Sequence, residues 1–149
     1  HCNDYREALA RNRECTGRGI TRQTFNIMPK IREVDSYLQK LKQRKIIHEM
    51  HPEVCFWALN DQQAMQTKKR SQDGFEERLA ILNQFIPDVG RFVEQVMQQT
   101  LRKQVARDDI VDALVGAVTA SHYRQLQTIP EQPEVDDKGL PMEIVYAIP

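Results

Sequence analysis

Arg107-Asp108-Asp109-Ile110-Val111-Asp112-Ala113-Leu114-Val115-Gly116-Ala117-Val118-Thr119-Ala120 is the stretch on which the fold turns. Ile110, Val111, Ala113, Leu114, Val115, Ala117, Val118 and Ala120 make it apolar around most of its girth. The pattern predicts a helix, opened by Arg107-Asp108-Asp109 and more deeply buried than any other in the chain. Asp112 lies inside that apolar run. A buried carboxylate is costly unless something positive meets it.

Upstream, Asp88 is placed to cap a helix with Val89, Phe92, Val93, Val96, Met97, Thr100 and Leu101 as its stripe. Before it, Phe75, Leu79, Leu82 and Ile86 repeat at helical spacing, with Asp73-x-x-Glu76 as a capping box and Pro87 as the stop. Asn60 to Gln72 is polar, carries Lys68-Lys69-Arg70, and reads as a loop. Pro52 suits the first position of a helical turn with Val54, Phe56, Trp57 and Leu59. Lys45 to His51 reads as a strand ended by Pro52.

Nearer the start, Ile27, Ile31, Val34, Leu38 and Leu41 form one apolar stripe that predicts a buried helix face. Pro29 is tolerated in a first turn, which places the start of that helix near Met28. Asn3 or Asp4 caps a shorter helix running through Arg13, and Thr16-Gly17-Arg18-Gly19 breaks it. Downstream of the apolar helix, Gln127 to Asp137 reads as a linker, Asp137-Lys138-Gly139 as a turn, and Met142 to Tyr146 as a last strand. About five helices and two strands result, and a two-stranded sheet is barely stable alone.

At 149 residues the chain has the length of a single domain. Its 21 Lys and Arg balance 21 Asp and Glu, which rules out a globally basic nucleic-acid coat. With 40% hydrophobic and 28% charged residues, the composition is that of an ordinary folded chain. The longest apolar run, Val54 to Leu59, is far too short to span a bilayer, and His1 to Arg6 form no signal-peptide core. No membrane and a cytoplasmic location are the expectation. Three cysteines, Cys2, Cys15 and Cys55, with no C-x-x-C pair, argue against a disulfide framework and a thiolate zinc site.

Several residues carry two readings. Asp108, Asp109 and Asp112 lie three or four apart and share one side of a helix. They either cap the first turn and complement its dipole, or offer oxygens to a divalent cation. On a strand, Glu49 and His51 share a face at its C-terminal end, where open α/β sheets bind ligands. The other reading makes them polar strand-end residues bonded to neighbouring loops. Lys68, Lys69 and Arg70, with Arg78, are either a solvated face or phosphate contacts. No G-x-G-x-x-G, Walker loop or G-x-S-x-G elbow is present.

Short blocks spread over almost the whole chain resemble one family. They include Tyr5-Arg6-Glu7-Ala8, Gly17-Arg18-Gly19-Ile20, Gln23 to Ile27, Pro29 to Asp35, Glu49-Met50-His51-Pro52-Glu53, Lys68-Lys69, Gly74-Phe75, Arg78, Asp108 to Ala113 and Gly139 to Ile144. They resemble domain-of-unknown-function family 429, described as predicted RNase H-like nucleases. The resemblance implies an α/β, ribonuclease H-like fold and a metal-dependent nuclease that hydrolyses phosphodiesters with Mg²⁺ or Mn²⁺. It implies Glu49, Asp109 and Asp112 as catalytic carboxylates that hold the metal, with Asp108 as a further metal ligand. It implies His51, Glu53, Lys68, Lys69 and Arg78 as substrate-binding residues, and nucleic acid as the partner.

In that family a glycine- and aspartate-bearing strand and further strands precede the block that opens this chain. The chain therefore resembles the C-terminal portion of the family's domain, helix-rich and with few strands. The alternative is a non-catalytic remnant or interaction module, self-associating through an exposed sheet edge.

Overall fold

The computed structural model describes Cys2 and residues 4–41, 47–101 and 104–149. The chain forms two compact units, His1–Ile46 and Ile47–Pro149.

The first unit is a helical pair, α1 (Tyr5–Thr16) and α2 (Arg22–Lys40). Asp4 caps α1, its Oδ1 accepting from the amides of Arg6 at 2.7 Å and Glu7 at 3.0 Å. Gly17 ends it with φ of 71°, a left-handed conformation that glycine adopts without strain. The helix runs three residues past the Arg13 expected from the sequence.

Helix α2 corrects two expectations. It starts at Arg22, not near Met28, and Pro29 sits inside it. Thr21 supplies the cap, with its hydroxyl 3.0 Å from the Thr24 amide. The ring of Tyr5 meets Phe25 edge-on at 5.9 Å, and Arg22 lies 4.6 Å over Tyr5. These contacts offset the single ladder bond that proline removes. The stripe of Ile27, Ile31 and Val34 is not buried: these side chains are 46%, 54% and 53% exposed. The two helices pack through Phe25 and its half-buried neighbour Met28 instead.

In the second unit, Lys45 and Ile46 of the expected first strand lie outside the described residues. The remainder is not a strand. Met50 makes one isolated parallel bridge to Val145, and Glu49 O accepts from the Val145 amide at 2.8 Å. Pro52 begins α3 (Pro52–Leu59) with His51 as its N-cap, so the chain turns helical before a ladder can grow.

Helix α4 (Gln72–Leu82) is capped by Ser71, two residues before the Asp73 expected to do so. A serine hydroxyl reaches the third amide, and Asp73 sits in the first turn, where the dipole favours it. The helix stops at Leu82, and Phe85 and Ile86 form a turn on the Leu82 carbonyl. Proline at 87 disfavours helical geometry in the residue before it. Helix α5 (Val89–Gln99) follows with Asp88 at its N-cap position, although that side chain makes no cap bond. Phe92 and Leu101, both expected in the buried stripe, are exposed.

Helix α6 (Arg107–Ser121) is the centre of this unit and packs against α3, α4, α5 and the sheet. It buries Ile110, Val111, Val115, Val118 and Thr119 on one side but exposes Ala113, Ala117 and Ala120, so it is not buried around its girth, and α3 buries the larger share of its residues. A short 3-10 turn, Tyr123–Gln125, leads into β1 (Leu126–Ile129), which pairs antiparallel with β2 (Ile144–Ala147) in the register Leu126 to Ala147 through Ile129 to Ile144.

Strand β1 corrects the linker expected over Gln127 to Asp137. Its four residues alternate between half-buried and exposed, too brief a pattern to stand out. The tight turn is present. Asp136 Oδ1 accepts from the amides of Lys138 and Leu140, and Gly139 takes a φ of 76°.

Phe56, Leu82, Val89, Val93, Val111, Val115 and Cys55 are the most deeply buried side chains. Burial pushes the Cys55 thiol up, partly opposed by the Thr119 hydroxyl. Among the described residues the architecture is α/β and helix-rich, with six α-helices and one two-stranded antiparallel sheet. No described helix is long and apolar enough to cross a membrane. Phe56→Ala opens a void at the centre of this core and is expected to cost about 3–5 kcal/mol in urea unfolding. A loss below about 1 kcal/mol would contradict this placement of the core.

Candidate functional site

The loop before α4 is the piece that brings basic side chains to α6. It is held at two points. Glu77, one turn into α4, takes the Gln66 amide at 2.8 Å on Oε1 and the Thr67 amide at 3.0 Å on Oε2. The Thr67 hydroxyl donates to the same Oε2. Then Ser71 folds back, its amide and hydroxyl both donating to Lys68 O.

Gly74 makes this possible. A Cβ there would stand 2.0 Å from Lys68 O, so any other residue must displace the loop. The Gln66 amide, followed by the Thr67 hydroxyl, holds the Glu77 carboxyl below its ordinary range, with lesser help from Arg78.

From this loop Lys69 Nζ forms an ion pair with Asp112 Oδ2. The carboxylate that the sequence sets inside the apolar helix is only half-buried, and it meets a lysine of the basic cluster. Its second oxygen, Oδ1, is buried and has no hydrogen-bond partner. Such an atom is costly in an apolar setting and marks a place where a cation or donor fits.

Arg78 of α4 is 2% exposed. Its Nε and NH2 grip the two carboxylate oxygens of Glu53 at 3.1 and 2.6 Å, and NH1 donates to Gly74 O at 2.8 Å. This forked geometry is the strong form of the arginine–carboxylate bond. Arg107, the first residue of α6, lies 3.9 Å over the Phe75 ring and donates to Gln72 Oε1 at 2.8 Å. Lys69, Arg70, Arg78 and Arg107, with Asp108, Phe75 and Val111, line a recess of about 90 Å³.

The carboxylates named from the sequence are not gathered into one cage. Asp109 Oδ2 accepts from the Ala106 amide at 2.9 Å, so Asp109 caps α6. Ala106 has no side-chain acceptor, and the pairing is half of a capping box. Asp108 faces the recess and Asp112 faces Lys69. Glu49 is exposed and meets Val145 through its backbone. Exposed His51 starts α3, and Glu53 is paired with Arg78. Lys68 is exposed and contributes its carbonyl to the loop. Among the described residues no group of three or more His, Cys, Asp or Glu is placed to hold a metal.

Sequence reading missed Arg107, Phe75 and Glu77. Arg107 had one available signal, a cation just before the acidic first turn. The other two looked like ordinary positions of an amphipathic helix.

The family model described as "Protein of unknown function (DUF429)" matches residues 1–135, and the chain belongs to that family. No curated protein and no solved structure matches it.

Two measurements check this geometry. Arg78→Ala leaves Glu53 without its partner and is expected to cost about 3 kcal/mol in urea unfolding, the lower part of the range for a broken buried pair because Glu53 is 37% exposed. A change under about 1 kcal/mol would refute that role. Glu77 has a lowered folded-state pKa, so its stabilisation is present above the ordinary glutamate value near 4.3 and fades as the pH falls through the lower folded value. Glu77→Gln should flatten the acid limb of the stability profile. An unchanged limb would show that Glu77 does not clamp the loop.

Proposed function

We propose that this chain contributes the C-terminal portion of a metal-dependent nuclease centre of RNase H-like type that hydrolyses phosphodiesters. The observation that carries the reading is Asp112. One of its oxygens is neutralised by Lys69, and the other is buried without a partner. Family membership and the cationic recess one helical turn away, at Asp108, are consistent with it.

The donor set fits a Mg²⁺ or Mn²⁺ site of one kind. Mg²⁺ is commonly held by one or two carboxylates together with substrate phosphate oxygens and water, not by an all-protein cage. Asp112 would hold the ion through Oδ1, with Asp108 as the second acidic residue of the same helix side. When bound, the ion supplies Lewis-acid polarisation of a phosphoryl oxygen.

The chain's own residues do the rest. Lys69 fixes the orientation of the Asp112 carboxylate through Oδ2, so Oδ1 would be the oxygen to hold a cation without breaking the pair. Arg70 and Arg107 meet the phosphate charge. Glu53 locks Arg78 in place beside them, which makes Glu53 a positioning residue.

A second reading, a binding module without hydrolysis, is favoured by one observation. Asp109 is engaged by the Ala106 amide and Glu53 by Arg78, which leaves few free carboxylates.

Titrating Mn²⁺ while following the unfolding temperature is expected to raise it, because an ion that binds the folded state stabilises it. Asp112→Asn is expected to abolish the rise. In a nuclease assay the same variant should lose about 10²-fold or more, the scale of removing one preorganised electrostatic group. Equal residual activity in both proteins would overturn the nuclease reading. A metal-dependent shift without hydrolysis would favour the binding module.

A further inference from the structure

The recess between α4 and α6 has a charge imbalance that bears on which phosphate the proposed site would take. Of its four cations, Lys69 is paired with Asp112 and Arg78 with Glu53, and the Asp108 carboxylate also lines the recess, so one positive charge is in excess there. Among the described residues no carboxylate forms an ion pair with Arg70 or Arg107. Arg70 is exposed, and Arg107 gives one N–H to a neutral glutamine oxygen.

The two helices also open here. The N–H groups of Arg107 and Asp108 lie in the first turn of α6, where no intrahelical acceptor exists. Their partial positive charge adds to that of the two arginines. Phe75 holds the Arg107 guanidinium from one side, so its remaining donors are offered from a fixed place.

Size narrows the ligand. About 90 Å³ is well below the roughly 300–1,000 Å³ of pockets that enclose whole small molecules. The recess takes a single tetrahedral oxyanion and leaves whatever carries it outside. A phosphate monoester has three terminal oxygens and a charge of about −1.5 to −2 at neutral pH. A monoester enters such a recess from one direction, whereas an internal diester must leave it in two.

We propose that this recess binds the terminal phosphate monoester of a nucleotide or of a nucleic-acid strand end. The nucleic-acid source rests on the nuclease reading. The anion binding does not.

The test uses the full chain in buffer free of divalent ions at constant ionic strength. Inorganic phosphate is expected to raise the unfolding temperature and equivalent chloride to leave it unchanged. Arg70→Gln and Arg107→Gln should each weaken phosphate binding about tenfold, the scale of one charge-assisted hydrogen bond. Arg91→Gln, on the exposed side of α5, should not.

Arg107→Gln also removes the stack on Phe75, so Arg70→Gln, which breaks no described contact, keeps the outcome decisive. A nucleoside 5′-monophosphate should bind where its nucleoside does not. A 5′-phosphorylated oligonucleotide should bind about tenfold more tightly than its 5′-hydroxyl counterpart.

Equal shifts with phosphate and chloride, or unaltered binding in Arg70→Gln, would overturn the site. Equal binding of the two oligonucleotides would overturn the terminal-phosphate assignment. Because no divalent ion is present, absence of hydrolysis in the earlier assay leaves these outcomes unaffected.

Discussion

The pairing of Lys69 with Asp112 is the interaction on which the second unit depends. A carboxylate placed among valines and isoleucines would be expelled or neutralised in isolation. Once a lysine from the preceding loop reaches it, the same side chain ties that loop to the central helix. Two parts of the chain meet at this contact: the basic cluster and α6. The uneven treatment of the two Asp112 oxygens follows from it, because one ammonium satisfies only one of them.

Charge in the site is divided between structure and exposure. Arg78 is almost wholly engaged with Glu53 and Gly74, and it serves the architecture first. Arg107 is held by an aromatic face, which restrains a guanidinium without neutralising it. Arg70 has no described partner. The gradient from locked to free cations runs from the core outward.

Much of the second unit could be read from residues alone. The apolar residues of α6 mark it as packed against the core, although its alanines face outward, and Pro52 marks the start of α3. Other elements failed for identifiable reasons. Pro29 was weighed by the bond it removes, whereas the Thr21 cap and the Tyr5–Phe25 contact extend α2 well before it. The stripe on that helix shows an amphipathic period, yet period reports only what a face is made of. Strand β1 depends on a partner 18 residues beyond its start, from Leu126 to Ile144, and no local pattern encodes that. At the site, spacing cannot say which carboxylate a backbone amide will claim. Asp109 went to the cap, and Asp112 went to the lysine. The roles of Phe75 and Glu77 arise from long-range geometry and have no signature in a single sequence.

The double anchoring of residues 66–71 has a consequence for how any ligand is received. Two backbone amides and a hydroxyl on Glu77, with Ser71 closing onto Lys68, leave this segment little conformational freedom to surrender when it meets an anion. Ordering a slack loop would subtract from affinity at the moment of encounter. Here that entropy loss is already incurred during folding, so an anion bound here would meet shape and charge already in place.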